Sequence, residues 1–285
     1  MGCYLRPQGL EDAVAALAAD SYTVLAGGTD FYPARAGRAT GRGDANILDI
    51  TAIETLRGIA EDGDGFHIGA LATWTDVLRR PLPPYFNALK LAAREVGGMQ
   101  IQNAGTLCGN LCNASPAADG VPPLLALEAE VELAARGGHR RVALDDFILG
   151  NRETVRRPDE LVVALHLPKP SPRARSTFLK LGARRYLVIS IVMVALLVDL
   201  EADGSVAKAR VAVGSCAARA RRLPAVEAAL RGQAFDGNLV ARIGDEQLDP
   251  LAPIDDIRGS AAYRRAAAVT LIRRGLEGLL AQDAA

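Results

Sequence analysis

Between Asn103 and Asp119 lie seventeen residues with no lysine and no arginine, almost all of them small or able to hydrogen-bond. Such a run lacks the apolar stripe and charged face of an ordinary surface helix. A structureless loop of this length is uncommon in a compact domain unless it has a task. The composition suits a segment laid against a large ligand, offering backbone N–H, hydroxyl and amide groups. The sequence therefore predicts an extended, ligand-lining loop from Gly97 to Asp119.

A second glycine-rich point lies nearer the N-terminus. Tyr22 to Ala26 reads as a short apolar strand and runs directly into Gly27-Gly28-Thr29-Asp30. Glycines at the end of a strand let backbone N–H groups approach a phosphate without Cβ interference. Glycine accounts for 28 of the 285 residues, above the usual ~7%, and much of the excess falls in these two segments. Two familiar nucleotide motifs are absent. Gly63, Gly65 and Gly69 miss the G-x-G-x-x-G spacing by one residue, and no Walker A sequence occurs.

Charge is balanced, with 33 basic and 33 acidic side chains. That lacks the basic surplus of a nucleic-acid binder, so no nucleic-acid partner is expected. The longest central uncharged run, Tyr186 to Val198, has thirteen residues, short of the roughly 20 a spanning helix needs. No basic segment followed by an apolar one opens the chain, so neither a signal peptide nor a membrane span is expected. Four cysteines occur, with Cys108 and Cys112 spaced C-x3-C and Cys3 and Cys216 far off. That grouping does not make a four-ligand zinc or iron–sulfur site. The reading is free thiols in a cytoplasmic protein, with no metal site. His67, His139 and His166 read as structural or surface residues, and no catalytic side chain stands out.

Along the chain, Gly9 to Asp20 reads as a helix and Asn46 to Ile50 as a strand, giving a small βαβ-like layer. Leu56 to Ala60 and Phe66 to Ala70 read as a hairpin, Thr73 as the cap of a helix to Arg80, and Pro83 to Val96 as a longer helix. A helix over Val121 to Leu127, a hairpin over 130–144 and a strand over Leu161 to Leu167 follow. Lys169-Pro170-Ser171-Pro172 is the best linker. Beyond it, Thr177 to Leu181, Val188 to Leu200 and Val206 to Val213 read as antiparallel strands, with helices over Leu223 to Arg231 and Ala261 to Leu280.

The two glycine-rich signatures carry a resemblance to a known family. The first is Val24 to Asp30; the second is Thr106 to Asp119, with Gly109-Asn110 and Ala114-Ser115-Pro116. Phe178-Leu179-Lys180 with Arg184-Arg185, and Pro253 to Ser260 continuing to Tyr263-Arg264-Arg265, extend the likeness over nearly the whole chain. Together they resemble the FAD-binding medium subunit of the molybdenum hydroxylases, of the xanthine, carbon monoxide and nicotine dehydrogenase type. The resemblance implies an α+β, vanillyl-alcohol-oxidase-like (PCMH-type) fold. Residues 1–168 would bind FAD between two α/β subdomains, about 1–52 and 53–168. Residues 173–285 would form a C-terminal domain with a small antiparallel sheet and helices.

By motif position, Ala26, Gly27, Gly28, Thr29 and Asp30 would wrap the FAD diphosphate, flanked by Leu25 and Phe31. Thr106, Gly109, Asn110, Asn113, Ser115 and Asp119 would hold the diphosphate, ribityl and flavin ends, with Cys108 and Cys112 among them. Leu161 and Val162 would touch the adenine or flavin surface, Lys180 would lie near the isoalloxazine, and Tyr186 would cover the ring. The family often has glycine where Cys108 stands and arginine where Gln102 stands. Its benzoyl-CoA-type members carry an inserted iron–sulfur loop for which this chain has no cysteine cluster. The resemblance also implies partners: a small subunit with [2Fe-2S] clusters and a large molybdopterin subunit, in a dimer of heterotrimers, with electrons leaving FAD to an external acceptor. Two other functions compete: a stand-alone FAD oxidase of the same broad fold, and a flavin-less assembly subunit.

Overall fold

In the computed structural model, residues 2–36, 46–185 and 187–283 are described. The first group of elements is β1 (Tyr4–Leu5), α1 (Leu10–Ala19), β2 (Tyr22–Leu25) and β3 (Asn46–Asp49). The strands form a three-stranded parallel sheet in the order β1-β3-β2. The expected layer is thus present, with one more strand than the sequence suggested. Ala13, Val14 and Leu17 recur on one side of α1 and are buried, and α1 packs against the strands of the next sheet.

The second group contains β4 (Ile59–Glu61), β5 (Gly65–Gly69), α2 (Trp74–Arg79), α3 (Asn87–Glu95), α4 (Met99–Ala104), α5 (Leu107–Asn113) and α6 (Val121–Ala126). It continues with β6 (Glu130–Ala135), β7 (Gly138–Ala143), α7 (Leu144–Phe147), β8 (Ile148–Gly150), β9 (Glu153–Thr154) and β10 (Leu161–Pro168). Five strands make an antiparallel sheet in the order β4-β5-β10-β6-β7. Phe66, Ile68, Leu165, Leu167, Val131 and Leu133 point into the core, as period-two alternation requires. Thr73 caps α2 in a reciprocal box with Asp76.

The segment expected as a long loop is instead two short helices, α4 and α5. Its composition hid them: α5 is held by tertiary burial and a cap rather than by an amphipathic period, and α4 has no buried residue among its six. Leu107 and Leu111, a turn apart, are fully buried, and the Thr106 hydroxyl caps α5 by accepting the Gly109 N–H at 3.0 Å. Ala114 then ends α5 in the left-handed region, at φ 47°.

The third group is β11 (Arg175–Leu181), β12 (Val192–Leu200), β13 (Val206–Gly214), β14 (Arg221–Arg222), α8 (Pro224–Leu230), α9 (Asn238–Ala241) and α10 (Ala261–Asp283). Its sheet is antiparallel, in the order β11-β12-β13-β14. The continuous apolar run of β12 is explained by burial on both faces. Met193, Ala195 and Leu197 join the core beneath the second group, while Val192, Val194, Leu196 and Val198 pack with α8 and α10. The overall architecture is the α+β arrangement expected: two units with helices on sheets, then a small antiparallel sheet with helices. Among the described residues, no helix is long and apolar enough to cross a membrane.

Candidate functional site

The two glycine-rich segments meet. A cleft of about 720 Å³ lies between the first and second groups, within the range typical of ligand pockets. One wall is the end of β2 and the turn after it; the other is α4, α5 and the strand end at Leu161 and Val162.

The turn after β2 is built for close approach. Gly28 adopts φ +72°, and a Cβ on Gly27 would stand 1.8 Å from the carbonyl oxygen of Ala104, the last residue of α4. Only glycine permits that contact. Among the described residues, no acceptor takes the N–H groups of Gly27, Gly28, Thr29, Asp30 or Phe31. Consecutive donors without a protein acceptor on a glycine turn are the kind of backbone that can take an anion. The Asn113 amide of α5 donates to Asp30 at 3.3 Å, tying the two walls together.

Opposite the turn, α5 is positioned through its backbone. The Leu107 N–H donates to the carbonyl of Ala72, and the Trp74 N–H to that of Gly105. Trp74 is almost fully buried yet also lines the cleft, so it both packs the core and floors the site. Asn110 accepts the Gly120 N–H through its side-chain oxygen at 3.3 Å.

Of the residues nominated from sequence, Ala26, Gly27, Gly28, Thr29, Asp30, Phe31, Thr106, Cys108, Gly109, Asn110, Cys112, Asn113, Leu161 and Val162 line the cleft. Leu25 is buried at the end of β2 behind it. Ser115, Asp119 and Lys180 do not line it. Asp119 instead accepts from Lys180 Nζ at 2.8 Å and from the Ser190 hydroxyl at 2.9 Å. Lys180 lines a smaller hollow of about 360 Å³ with Arg94, Glu95 and Phe178. Tyr186 lies outside the described residues.

Burial pushes the Cys108 thiol well up. Cys112 opens to the solvent of the cleft, yet the surrounding walls raise it to about 11. Both are thiols, not thiolates, at neutral pH, so neither is a ready nucleophile or metal ligand.

Three cations in the cleft escaped the sequence reading: Arg35, Arg152 and Arg156. The Arg35 guanidinium lies 3.6 Å from the Phe31 ring centroid. Arg152 donates to the Asn113 side-chain oxygen at 2.7 Å, and its own N–H to the carbonyl of Ala114 at 2.9 Å. Arg156 is held by the carbonyls of Arg157 and Glu160. Arg152 and Arg156 come from the turns between β8 and β10 and belong to no motif. The only hint was positional, since the turn at Gly150 is followed by basic residues and returns to the strand carrying Leu161 and Val162. Unpaired N–H groups, fixed arginines and an apolar strand end suit an elongated ligand with an anionic centre and aromatic parts.

Comparison with known proteins agrees. Residues 1–170 match the model of the FAD binding domain in molybdopterin dehydrogenase, and residues 177–279 that of the CO dehydrogenase flavoprotein C-terminal domain. The nicotine 6-hydroxylase medium subunit of Paenarthrobacter nicotinovorans is 28% identical, covering 95% of this chain and 94% of its own. The xanthine dehydrogenase FAD-binding subunit of Escherichia coli O157:H7 is 30% identical, covering 92% of this chain and 90% of its own. A structure of carbon monoxide dehydrogenase from Hydrogenophaga pseudoflava, lacking the Mo-pyranopterin moiety of its cofactor, superposes with a TM-score of 0.87 at 29% identity, over 97% of this chain and 96% of that one. The chain belongs to the FAD-binding medium-subunit family of the molybdopterin dehydrogenases.

Proposed function

We propose that this chain is the FAD-carrying electron-transfer subunit of a heterotrimeric molybdenum hydroxylase. It would take electrons from [2Fe-2S] clusters on a small partner subunit, supplied by a molybdopterin centre on a large one, and pass them to an external acceptor. The assembly would be a dimer of heterotrimers in the cytoplasm. The observation that carries this reading is the cleft, lined by the Gly27–Phe31 turn with its unpaired N–H groups, by α5 and by three arginines.

These residues fit FAD. The Gly27–Phe31 turn, with Arg152 and Arg156, would hold the diphosphate, since fixed N–H donors and guanidinium forks match phosphate oxygens. Thr106, Gly109, Asn110 and Asn113 would hold the polyol, and Leu161 and Val162 would present apolar surface to a ring. Ser115, Asp119 and Lys180 would act from behind, fixing the end of the glycine-rich run to β11. Bound there, FAD supplies the redox chemistry that no side chain performs. The chain contributes binding, orientation and shielding from water.

The test is recovery of the chain from its own cells, with the cofactors of what accompanies it. Two further chains carrying iron and molybdenum should co-purify. The flavin of that complex should bleach anaerobically with a compound that the molybdenum chain hydroxylates, while the isolated chain stays oxidised. Bleaching of the isolated, metal-free chain by an organic substrate would instead identify a stand-alone oxidase.

A further inference from the structure

The chain has three histidines, at positions 67, 139 and 166. They lie far apart in sequence and serve nothing in the cleft, yet all three converge on one face of the central sheet. The register explains how. His67 of β5 stands directly opposite His166 of β10. On the other side of β10, Glu132 of β6 pairs with Ala164, one same-face step from His166. On β7, His139 pairs with Ala134, one same-face step from Glu132. The neighbours Phe66, Ile68, Leu165, Leu167, Val131 and Leu133 point into the core, so this polar set occupies the outer face.

The side chains are already organised around the carboxylate. His166 Nε2 is hydrogen-bonded to Glu132 Oε2, and His139 Nδ1 lies 2.6 Å from the other oxygen, Oε1. The His67 and His166 rings meet edge to face, with centroids 4.7 Å apart. One ligand atom each from His67, Glu132 and His166 lies within 4.8 Å of the others. The three are partly exposed, so an ion can reach them.

We propose that His67, His166 and Glu132 form a binding site for a divalent transition-metal ion of the zinc class. Two imidazoles and a carboxylate, with a fourth position open to water, are a zinc-type donor set. Magnesium and calcium prefer all-oxygen ligands and do not suit it. A tetrahedral ion with ligands ~2.0–2.2 Å away sets its donors about 3.3–3.6 Å apart. With all the ligand atoms within 4.8 Å of one another, the widest pair closes by at most about 1.2–1.5 Å, while the hydrogen-bonded His166–Glu132 pair opens to admit the ion. The ion enters between His166 Nε2 and Glu132 Oε2, replacing the hydrogen bond that now joins them. His139 remains on the second oxygen of Glu132 and orients it, the usual office of an outer-shell partner. The ligands come from three neighbouring strands, so the ion would cross-link β5, β10 and β6. None of the three lines the cleft.

The test uses the full chain, purified through a histidine-free tag and stripped of metal. Zinc is titrated against a chromogenic chelator. The wild type should bind one equivalent, with excess magnesium failing to compete, and saturating zinc should raise the melting temperature by a few degrees. His67→Asn and His166→Asn should each weaken zinc at least tenfold. Circular dichroism of the metal-free proteins identifies any variant that fails to fold, and His67, on a half-exposed strand position, is the safer of the two. Cobalt in place of zinc should give visible d–d bands without a thiolate charge-transfer band. Absence of stoichiometric zinc in the wild type, unchanged affinity in folded His67→Asn, or a thiolate band would each overturn the site.

Discussion

Lys180 Nζ lies 2.8 Å from Asp119 Oδ2, and the two side chains are only 6% and 11% exposed. This ion pair joins the end of the glycine-rich run to β11 of the C-terminal sheet. Lys180 pairs with Met193 across the β11–β12 ladder and so faces the second group. Burial raises the Asp119 carboxyl, and Lys180 and Ser190 oppose that rise. Motif position alone suggested that both residues contact a cofactor; in the structure Lys180 donates to Asp119, which also accepts from Ser190.

Removing one member should therefore cost more than removing both. Lys180→Met leaves a buried carboxylate without its cation, and the expected loss is about 3–5 kcal/mol. Adding Asp119→Asn should return part of that loss. Urea unfolding of the single and double variants measures it, and a double variant no more stable than Lys180→Met would contradict the account.

Gly27→Ala should damage the site more than Gly28→Ala. The new Cβ of the first meets a backbone carbonyl, that of Ala104 at 1.8 Å, and must push the turn away from α4; that of the second meets the Tyr32 ring at 2.6 Å, a side chain that can swing. Gly28→Ala carries in addition about 1 kcal/mol for its positive φ. The ratio of flavin to protein after gel filtration should be lowest for Gly27→Ala, and the reverse order would show that the turn does not lean on α4 as described.

Arg152→Ala and Arg156→Ala test the charged wall of the cleft. A lost charge-assisted hydrogen bond is worth about 1.5–3 kcal/mol, or roughly ten- to a hundredfold in affinity. FAD titrated into apoprotein should bind more weakly to both variants and depend less on salt. Wild-type affinity and salt dependence in both would remove the arginines from the diphosphate site.

Glu160 sets a pH dependence. Its carboxylate, 1% exposed, receives Arg140 at 2.6 and 2.9 Å and the Arg157 N–H at 2.7 Å. The Arg140 hydrogen bonds hold its pKa down at about 2. The folded value lies below the unfolded one, so the stabilisation is complete above an unfolded pKa of ~4.3 and is lost as pH falls through about 2. Glu160→Gln should cost about 2–3 kcal/mol at neutral pH and progressively less in acid. Denaturation series at several pH values read this directly, and a gap constant with pH would show that the carboxylate's charge is not what matters.

The strands were legible because alternating or continuous apolar runs bounded by turn residues survive without tertiary information. Tyr22 to Leu25 and Val192 to Leu200 are examples. Gly27 could be read as a glycine ending a strand, but its neighbour Ala104 arrives from a remote helix. Helix α5 was hidden because Thr106, Leu107 and Leu111 stabilise it through a cap and burial, not through a repeating stripe, and α4 buries none of its residues and so leaves no apolar pattern. Arg152 and Arg156 carry no motif; two short strands and a turn bring them to the cleft. The three histidines looked unrelated until β-sheet register placed them on one face.

The most direct measurement is the identity and stoichiometry of the flavin released from the purified chain. A yellow protein that yields close to one FAD per chain on denaturation, with no FMN, and that rebinds FAD after stripping is the expected result. A colourless chain that cannot be reconstituted with FAD, or one that releases FMN, would contradict the account.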